Sequence, residues 1–262
     1  MSADLRILIT NDDGIDAPGL EKLAAIARQI SGDVWVVAPR ANQSGAGHRF
    51  SLGHELHLEQ REPRVYSVDG TPADCVVAGC THVLGGRKPD VVLAGVNHGQ
   101  NLGDVIHCSG TLGAAREGAL QGALGIGLSQ AVDYANGRDV SWDAAVAHGP
   151  SVVRGLIAHA DKAHTYYNVN FPHCAADEVT GVQIVTHQRF SHSPFSYYQS
   201  RNEGKFFVAV LETPLPIDHD SDFHVLHHEN AVTVTPLTLR MTDAEQAAHL
   251  AGRLALAGAG PS

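Results

Sequence analysis

Two adjacent carboxylates, Asp12 and Asp13, follow a short, largely apolar run at residues 5–9 and sit in the sequence Asn11-Asp12-Asp13-Gly14. Neighbouring ionised Asp residues repel each other, so a buried pair is costly unless a cation or hydrogen-bond donors lie between them. Two further oxygen donors stand at comparable places. Ser44 lies in Asn42-Gln43-Ser44-Gly45 after a second apolar run, and Asn97 follows the run 90–96. Such oxygens suit a hard cation such as Mg²⁺ or Mn²⁺, whereas zinc and copper sites draw more on His and Cys. Ser109-Gly110-Thr111 precedes a helical stretch, where backbone N–H groups and hydroxyls hold an anion without formal positive charge. A cation beside an anion cradle is the apparatus for phosphate-ester hydrolysis: one activates water and the other orients phosphate oxygens. Each piece also has a plainer account. The Asp pair lies in a turn-forming sequence, Ser44 and Asn97 are ordinary loop residues, and Ser109 or Thr111 can serve as an N-cap. Only convergence of the three loops makes a site of them.

The elements that must position these residues read as alternating strand and helix. Residues 5–9 suit a buried parallel strand. Leu20, Leu23, Ala24, Ala27 and Ile30 recur at helical spacing after Pro18, and 34–38 is a second strand ending at Pro39. This βαβ opening implies a right-handed crossover in a parallel sheet. Residues 40–67 read as loop and a small β excursion, closing with a short strand at 65–68 that need not join the main sheet. A helix is expected from Pro72 to about Leu84, a strand over 90–96, a helix over 111–123 and a strand over 125–129. Helix and strand alternate again around 142–159 and 166–171. From Gly181 the rhythm turns to strands: 182–186, a hairpin around 196–211, and 231–239 broken by Pro236. Residues 255–262 read as a frayed tail. The expectation is one α/β domain over 1–262: a Rossmann-like three-layer core over 1–180 with a mostly parallel sheet, and a β-rich extension or hairpin arm over 181–262. In such sheets ligands bind beyond the carboxyl ends of the strands, where Asp12, Asp13, Ser44 and Asn97 fall.

Composition narrows the partners. The chain has 262 residues, 44% hydrophobic, enough for one sizeable core. With 28 acidic against 18 basic residues and a formal net charge of -10, it lacks the footprint for duplex nucleic acid or an anionic membrane. No apolar run is long enough to span a bilayer, and no basic leader precedes an apolar stretch. Cys75, Cys80, Cys108 and Cys174 lack metal or dense disulfide spacing and read as reduced thiols. A cytoplasmic, small-molecule role is expected. His54, His57, His224, His227 and His228 lack ligand spacing and read as solvated. Phe190, Phe195, Tyr197 and Tyr198 read as packing or interface aromatics rather than a base-stacking platform.

The ordered motifs resemble the SurE family. They are Asn11-Asp12-Asp13-Gly14; Ala38-Pro39 through Ser44-Gly45; Gly95-Val96-Asn97-His98-Gly99-Gln100-Asn101-Leu102-Gly103 through Ser109-Gly110-Thr111; Gly70-Thr71-Pro72-Ala73-Asp74-Cys75; and Ala115-Arg116-Glu117-Gly118. Asn168-Val169-Asn170 and Thr235-Pro236-Leu237 extend the likeness over nearly the whole chain. The resemblance implies Asp12, Asp13, Ser44 and Asn97 as ligands of one divalent metal ion per subunit, Mg or Mn, with Asp12, Asp13 and Asn97 as catalytic residues. Gly45, Asn101, Ser109, Gly110 and Thr111 are the expected phosphate contacts. It further implies hydrolysis of nucleoside 5'-monophosphates, with 3'-monophosphates and polyphosphate as further substrates, in a homodimer or homotetramer. The sequence departs from the family at Ser221-Asp222, where a Thr-Asp pair is usual, and at Cys108, where an aromatic is common.

Two rival readings use the same acids. An aspartyl-phosphate phosphatase needs a nucleophilic Asp at the position of Asn11, which an amide cannot replace. A non-catalytic Mg-binding, receiver-like switch needs a phosphoacceptor Asp at a central strand end, but Asp90 stands at the start of its strand.

Overall fold

In the computed structural model of the protein, residues 5–133, 140–160, 164–210, 216–251 and 253–254 are described. Strand β1 (Arg6–Thr10) illustrates why the core has two sides. Ile7 and Ile9 pack into one apolar cluster and Leu8 into another, because successive strand side chains point to opposite faces. The same alternation sends Val36 and Ala38 of β2 (Asp33–Pro39) one way and Val37 the other. In β5 (Val91–His98) it separates Val91 and Leu93 from Val92 and Ala94. A strand buried on both faces needs helices on both. Helices α1 (Pro18–Arg28) and α4 (Asp143–His159) cover the first face, and α2 (Pro72–Ala78) and α3 (Gly110–Leu120) the second. The result is a three-layer α/β fold.

The remaining strands are β3 (Leu58–Glu62), β4 (Val65–Val68), β6 (Leu124–Gln130), β7 (Thr165–Phe171), β8 (Val182–Ile184), β9 (Phe195–Gln199), β10 (Phe206–Val210) and β11 (Val232–Thr238). Two short helices, α5 (Asp222–His228) and α6 (Ala244–Leu250), flank β11 in sequence. Nine strands form one sheet in the order β3-β4-β2-β1-β5-β6-β7-β11-β8. The run from β4 to β7 is parallel throughout, while β3 on β4 and β11 on β7 are antiparallel. The chain leaves β1 towards β2 and β4, then returns to the other side of β1 as β5, which opens a crevice at the carboxyl ends of β1 and β5.

Several elements differ from the sequence reading. The excursion before residue 68 joins the main sheet, since β4 lies parallel on β2 with Val36 opposite Val65. The helix beginning at Pro72 is α-helical only to Ala78 and continues as a π-helical turn, Gly79–Val83. Gly79 lies on Leu8, where an added Cβ would stand 2.7 Å from a Leu8 methyl, so the helix presses on the sheet at this point. Pro236 does not break β11, because it pairs with Tyr167 beyond the last residue that β11 pairs with β8. A missing amide donor is tolerated where a strand has one neighbour. The boundary expected at residue 180 falls inside the sheet, since β8 and β11 belong to it. The hairpin β9–β10 forms a separate two-stranded sheet, with Phe195 opposite Val210. The end of the expected hairpin, Leu211, and the expected tail at 255–262 lie outside the described residues. All four cysteines are free thiols. Among the described residues no helix is long and apolar enough to cross a membrane.

Candidate active site at the carboxyl edge of the sheet

The loop after β1 is built by Asn11, whose side-chain amide donates to Gly14 O at 2.8 Å while its carbonyl oxygen accepts from Gly14 N at 3.2 Å. Gly14 closes this turn at φ +110°, a conformation that side chains rarely adopt. The turn reading is thus right for Asn11 and Gly14, and it presents Asp12 and Asp13 at the crevice. Asp12 is 4% exposed. Thr111 Oγ1 donates to Asp12 Oδ1 at 2.5 Å, and an added Cβ on Gly110 would stand 2.7 Å from Asp12 Cβ. Gly110 therefore lets the start of α3 close on the carboxylate. Burial pushes the Asp12 carboxyl up to about 6; the Asp13 charge adds to this, while the Thr111 hydroxyl opposes it. Asp13 is also raised, chiefly by burial, with the His98 backbone N–H and ring charge opposing. That N–H donates to Asp13 Oδ2 at 3.2 Å.

These bonds make the acidic pair a hub. The Asp12 carbonyl accepts from Gln43 N at 2.7 Å, which brings in the residue before Ser44, and His98 is the residue after Asn97. Ser44 is exposed, with its own N–H donating to Asn42 Oδ1 at 2.8 Å. Gly45 takes φ +79° with open space around it. Asn97 donates through Nδ2 to Gly99 O at 2.7 Å, leaving its carbonyl oxygen without a described partner. Ser109 caps α3 by accepting from Leu112 N at 3.2 Å, and its hydroxyl proton has no described acceptor. Thr111, expected to touch phosphate, has its hydroxyl on Asp12. Asn101 is buried with its side-chain amide on Ser129 Oγ at 2.8 Å, and its carbonyl accepts from Asn168 and Asn170. That bond uses one of the two N–H groups of the Asn101 amide. Asp90 lies at the opposite edge, accepting from Arg6 N, so it is not an acid of this crevice.

Buried Asp12 has no cationic side chain paired with it among the described residues. Nor is there a group of three His, Cys, Asp or Glu side chains gathered as a metal centre among them. Asp12 and Asp13 stand together, and Ser44 and Asn97 adjoin in sequence the residues whose N–H groups bond to them. Carboxylate, hydroxyl and amide-carbonyl oxygens are the donor types that fit a hard cation. Two supports were not legible in sequence. His48 Nε2 lies 3.0 Å from Glu117 Oε2 on α3, and Asp222 accepts from Gly103 N at 2.9 Å and Gln188 N at 2.8 Å. Glu117 lies in a recognisable motif and Asp222 in an altered one, but the partners of each are 69 residues and 34 or more residues away.

The profile of the family described as survival protein SurE matches residues 7–193. The chain belongs to the SurE family. It is 42% identical over 243 residues to the 5'-nucleotidase SurE of Methylobacterium radiotolerans, spanning 91% of this chain and 95% of that protein. It is likewise 42% identical over 248 residues to the 5'-nucleotidase SurE of Rhodopseudomonas palustris, with the same coverage of each. The crystal structure of the SurE protein from Aquifex aeolicus superposes with a TM-score of 0.82 at 29% identity, covering 94% of this chain and 98% of that one. The SurE fold is therefore shared across the sheet that carries the acidic hub.

Proposed function

We propose that this chain is a metal-dependent 5'-nucleotidase, converting nucleoside 5'-monophosphates to nucleoside and phosphate. The observation that carries this reading is the buried Asp12 carboxylate beside Asp13 at the switch point of the sheet, raised by burial and without a cationic side-chain partner among the described residues. Asp12 and Asp13, with Ser44 Oγ and the unpartnered carbonyl oxygen of Asn97, would hold one Mg²⁺ or Mn²⁺ per subunit. Bound there, a divalent cation supplies charge neutralisation at a phosphate oxygen and lowers the pKa of water. Thr111 fixes one oxygen of Asp12, so the carboxylate does not reorient as charge develops. The hydroxyl proton of Ser109, without an acceptor among the described residues, the open backbone at Gly45 and the backbone N–H groups at the start of α3 offer neutral donors for the remaining phosphate oxygens. Neutral donors suit a chain with 18 basic residues against 28 acidic ones. Activity on 3'-monophosphates and polyphosphate, a cytoplasmic location and a homodimer or homotetramer built with the 181–262 extension complete the proposal. The test is phosphate release from a panel of 5'- and 3'-mononucleotides, sugar phosphates and polyphosphate, with Mg²⁺, Mn²⁺ or chelator. Release from 5'-mononucleotides that chelator abolishes is expected. No release from any mononucleotide in either metal would overturn the reading.

A further inference from the structure

Ser44 stands in a loop whose tip makes little contact of its own, so its position depends on what holds the loop's two ends. One end is held by Gln43 N on the Asp12 carbonyl, and the other by Gly47 N on Cys108 O at 2.9 Å. The loop then presses on α3: an added Cβ on Gly113 would stand 2.2 Å from Gly47 O. Immediately after Gly47, His48 sits between two α3 side chains. Arg116 Nη1 lies 2.7 Å from His48 Nδ1, and His48 Nε2 lies 3.0 Å from Glu117 Oε2. Gln121 Nε2 donates to the other Glu117 oxygen at 2.8 Å. A guanidinium has no acceptor, so His48 Nδ1 must meet it with a lone pair. The tautomer that satisfies both contacts carries its proton on Nε2, donated to Glu117. Both nitrogens are used, and the tautomer is fixed by the partners.

We propose that Arg116, His48 and Glu117 form a positioning relay that references the Ser44 loop to α3, the helix whose first turn holds Asp12. Through Thr111 at its start and Glu117 two turns on, α3 sets the relative placement of two ligand-bearing loops that are remote in sequence. The relay touches no substrate, and it rests on the reading of Ser44 as a metal ligand. Glu117→Ala removes the acceptor, frees His48 and loosens the loop. Glu117→Gln keeps a carbonyl oxygen for the His48 proton.

The experiment measures Mn²⁺ binding by the chelator-treated, full-length protein without substrate, then KM and kcat for a nucleoside 5'-monophosphate. It adds the ¹⁵N spectrum of the His48 ring, assigned by loss of its signals in His48→Ala. Expected are an Nε2-protonated tautomer and Mn²⁺ binding weakened about tenfold in Glu117→Ala, the scale of one charge-assisted hydrogen bond. KM should rise more than kcat falls, and Glu117→Gln should recover most of the loss. Mn²⁺ binding and KM within about twofold of the parent in folded Glu117→Ala would overturn the relay, as would a Gln variant no better than Ala or an Nδ1-protonated ring. Should Glu117→Ala not fold, His48→Ala, a change on the loop side, carries the same binding comparison. If the parent protein releases no phosphate from mononucleotides, the nucleotidase reading fails, while Mn²⁺ binding and the tautomer still decide the relay.

Discussion

Replacing Asp12 by Asn should make the metal-free protein more stable at alkaline pH while removing its activity. Burial moves this carboxyl from an ordinary 3.8 to about 6, and the unfolded chain keeps the ordinary value. Between about pH 4 and pH 6 the folded state therefore binds more protons than the unfolded state, and stability falls as pH rises through that window. The difference amounts to ~3 kcal/mol at ~1.4 kcal/mol for each tenfold change in the ionisation constant. Asn is nearly isosteric, retains an oxygen for the Thr111 hydroxyl and carries no charge. Urea unfolding in chelator should show parent and Asp12→Asn proteins nearly equal at pH 4. The variant should then gain progressively, to ~3 kcal/mol at pH 8. With Mn²⁺ present at pH 8 the order should narrow or reverse, because only the parent gains binding energy in the folded state. A variant that is less stable than the parent at pH 8 in chelator, or that follows the same pH dependence, would refute the argument that Asp12 is an uncompensated buried charge.

Gly110→Ala brings a Cβ within 2.7 Å of Asp12 Cβ and 2.9 Å of its Oδ2, so the carboxylate must move. Hydrolysis should fall about a hundredfold, the scale of an ångström's misplacement, in a steady-state assay that also records far-UV circular dichroism to confirm folding. Saturating the parent protein with Mg²⁺ or Mn²⁺ at about a hundred times the dissociation constant should stabilise it by ~2.7 kcal/mol, and chelator should reverse both this gain and phosphate release. Asp222→Ala leaves the N–H groups of Gly103 and Gln188 without their acceptor, and should cost about 2–3 kcal/mol in denaturant unfolding. Because Gly103 closes the loop that begins at Asn97, Asp222→Ala should also raise KM.

The sheet's parallel centre was legible because its strands carry their own signal: Ile7-Leu8-Ile9 and Val91-Val92-Leu93 must bury both faces, and only helices on each side can do that. The oxygen donors stand out in the sequence for a related reason, since each lies at or after the carboxyl end of such a strand and parallel strands deliver those ends to one edge. Strand β5 runs on through Asn97 to His98, so Asn97 is its last residue but one. What escaped the sequence was every feature decided by a partner elsewhere. Nothing in 65–68 announces that β2 has a free edge for it. Nothing around Gly79 announces that Leu8 lies beneath, and Pro236 can be tolerated in a strand only when one knows where β8 stops. The site divides along the same line. Asp12 and Asp13 stand out from local pattern, whereas the local pattern offers Thr111 only an anion or a cap, because that is what a hydroxyl at a helix N-terminus most often serves. Here the anion it serves is the protein's own carboxylate. In the proposed reading that distinction matters for chemistry: a hydroxyl spent on Asp12 would hold a ligand oxygen still against the repulsion of Asp13, and the phosphate would draw on Ser109 and backbone donors. An α3 that orders the site from inside, through Thr111 and Glu117, explains why Gly110 and Gly113 face the two loops: any side chain at either point would part the helix from what it aligns.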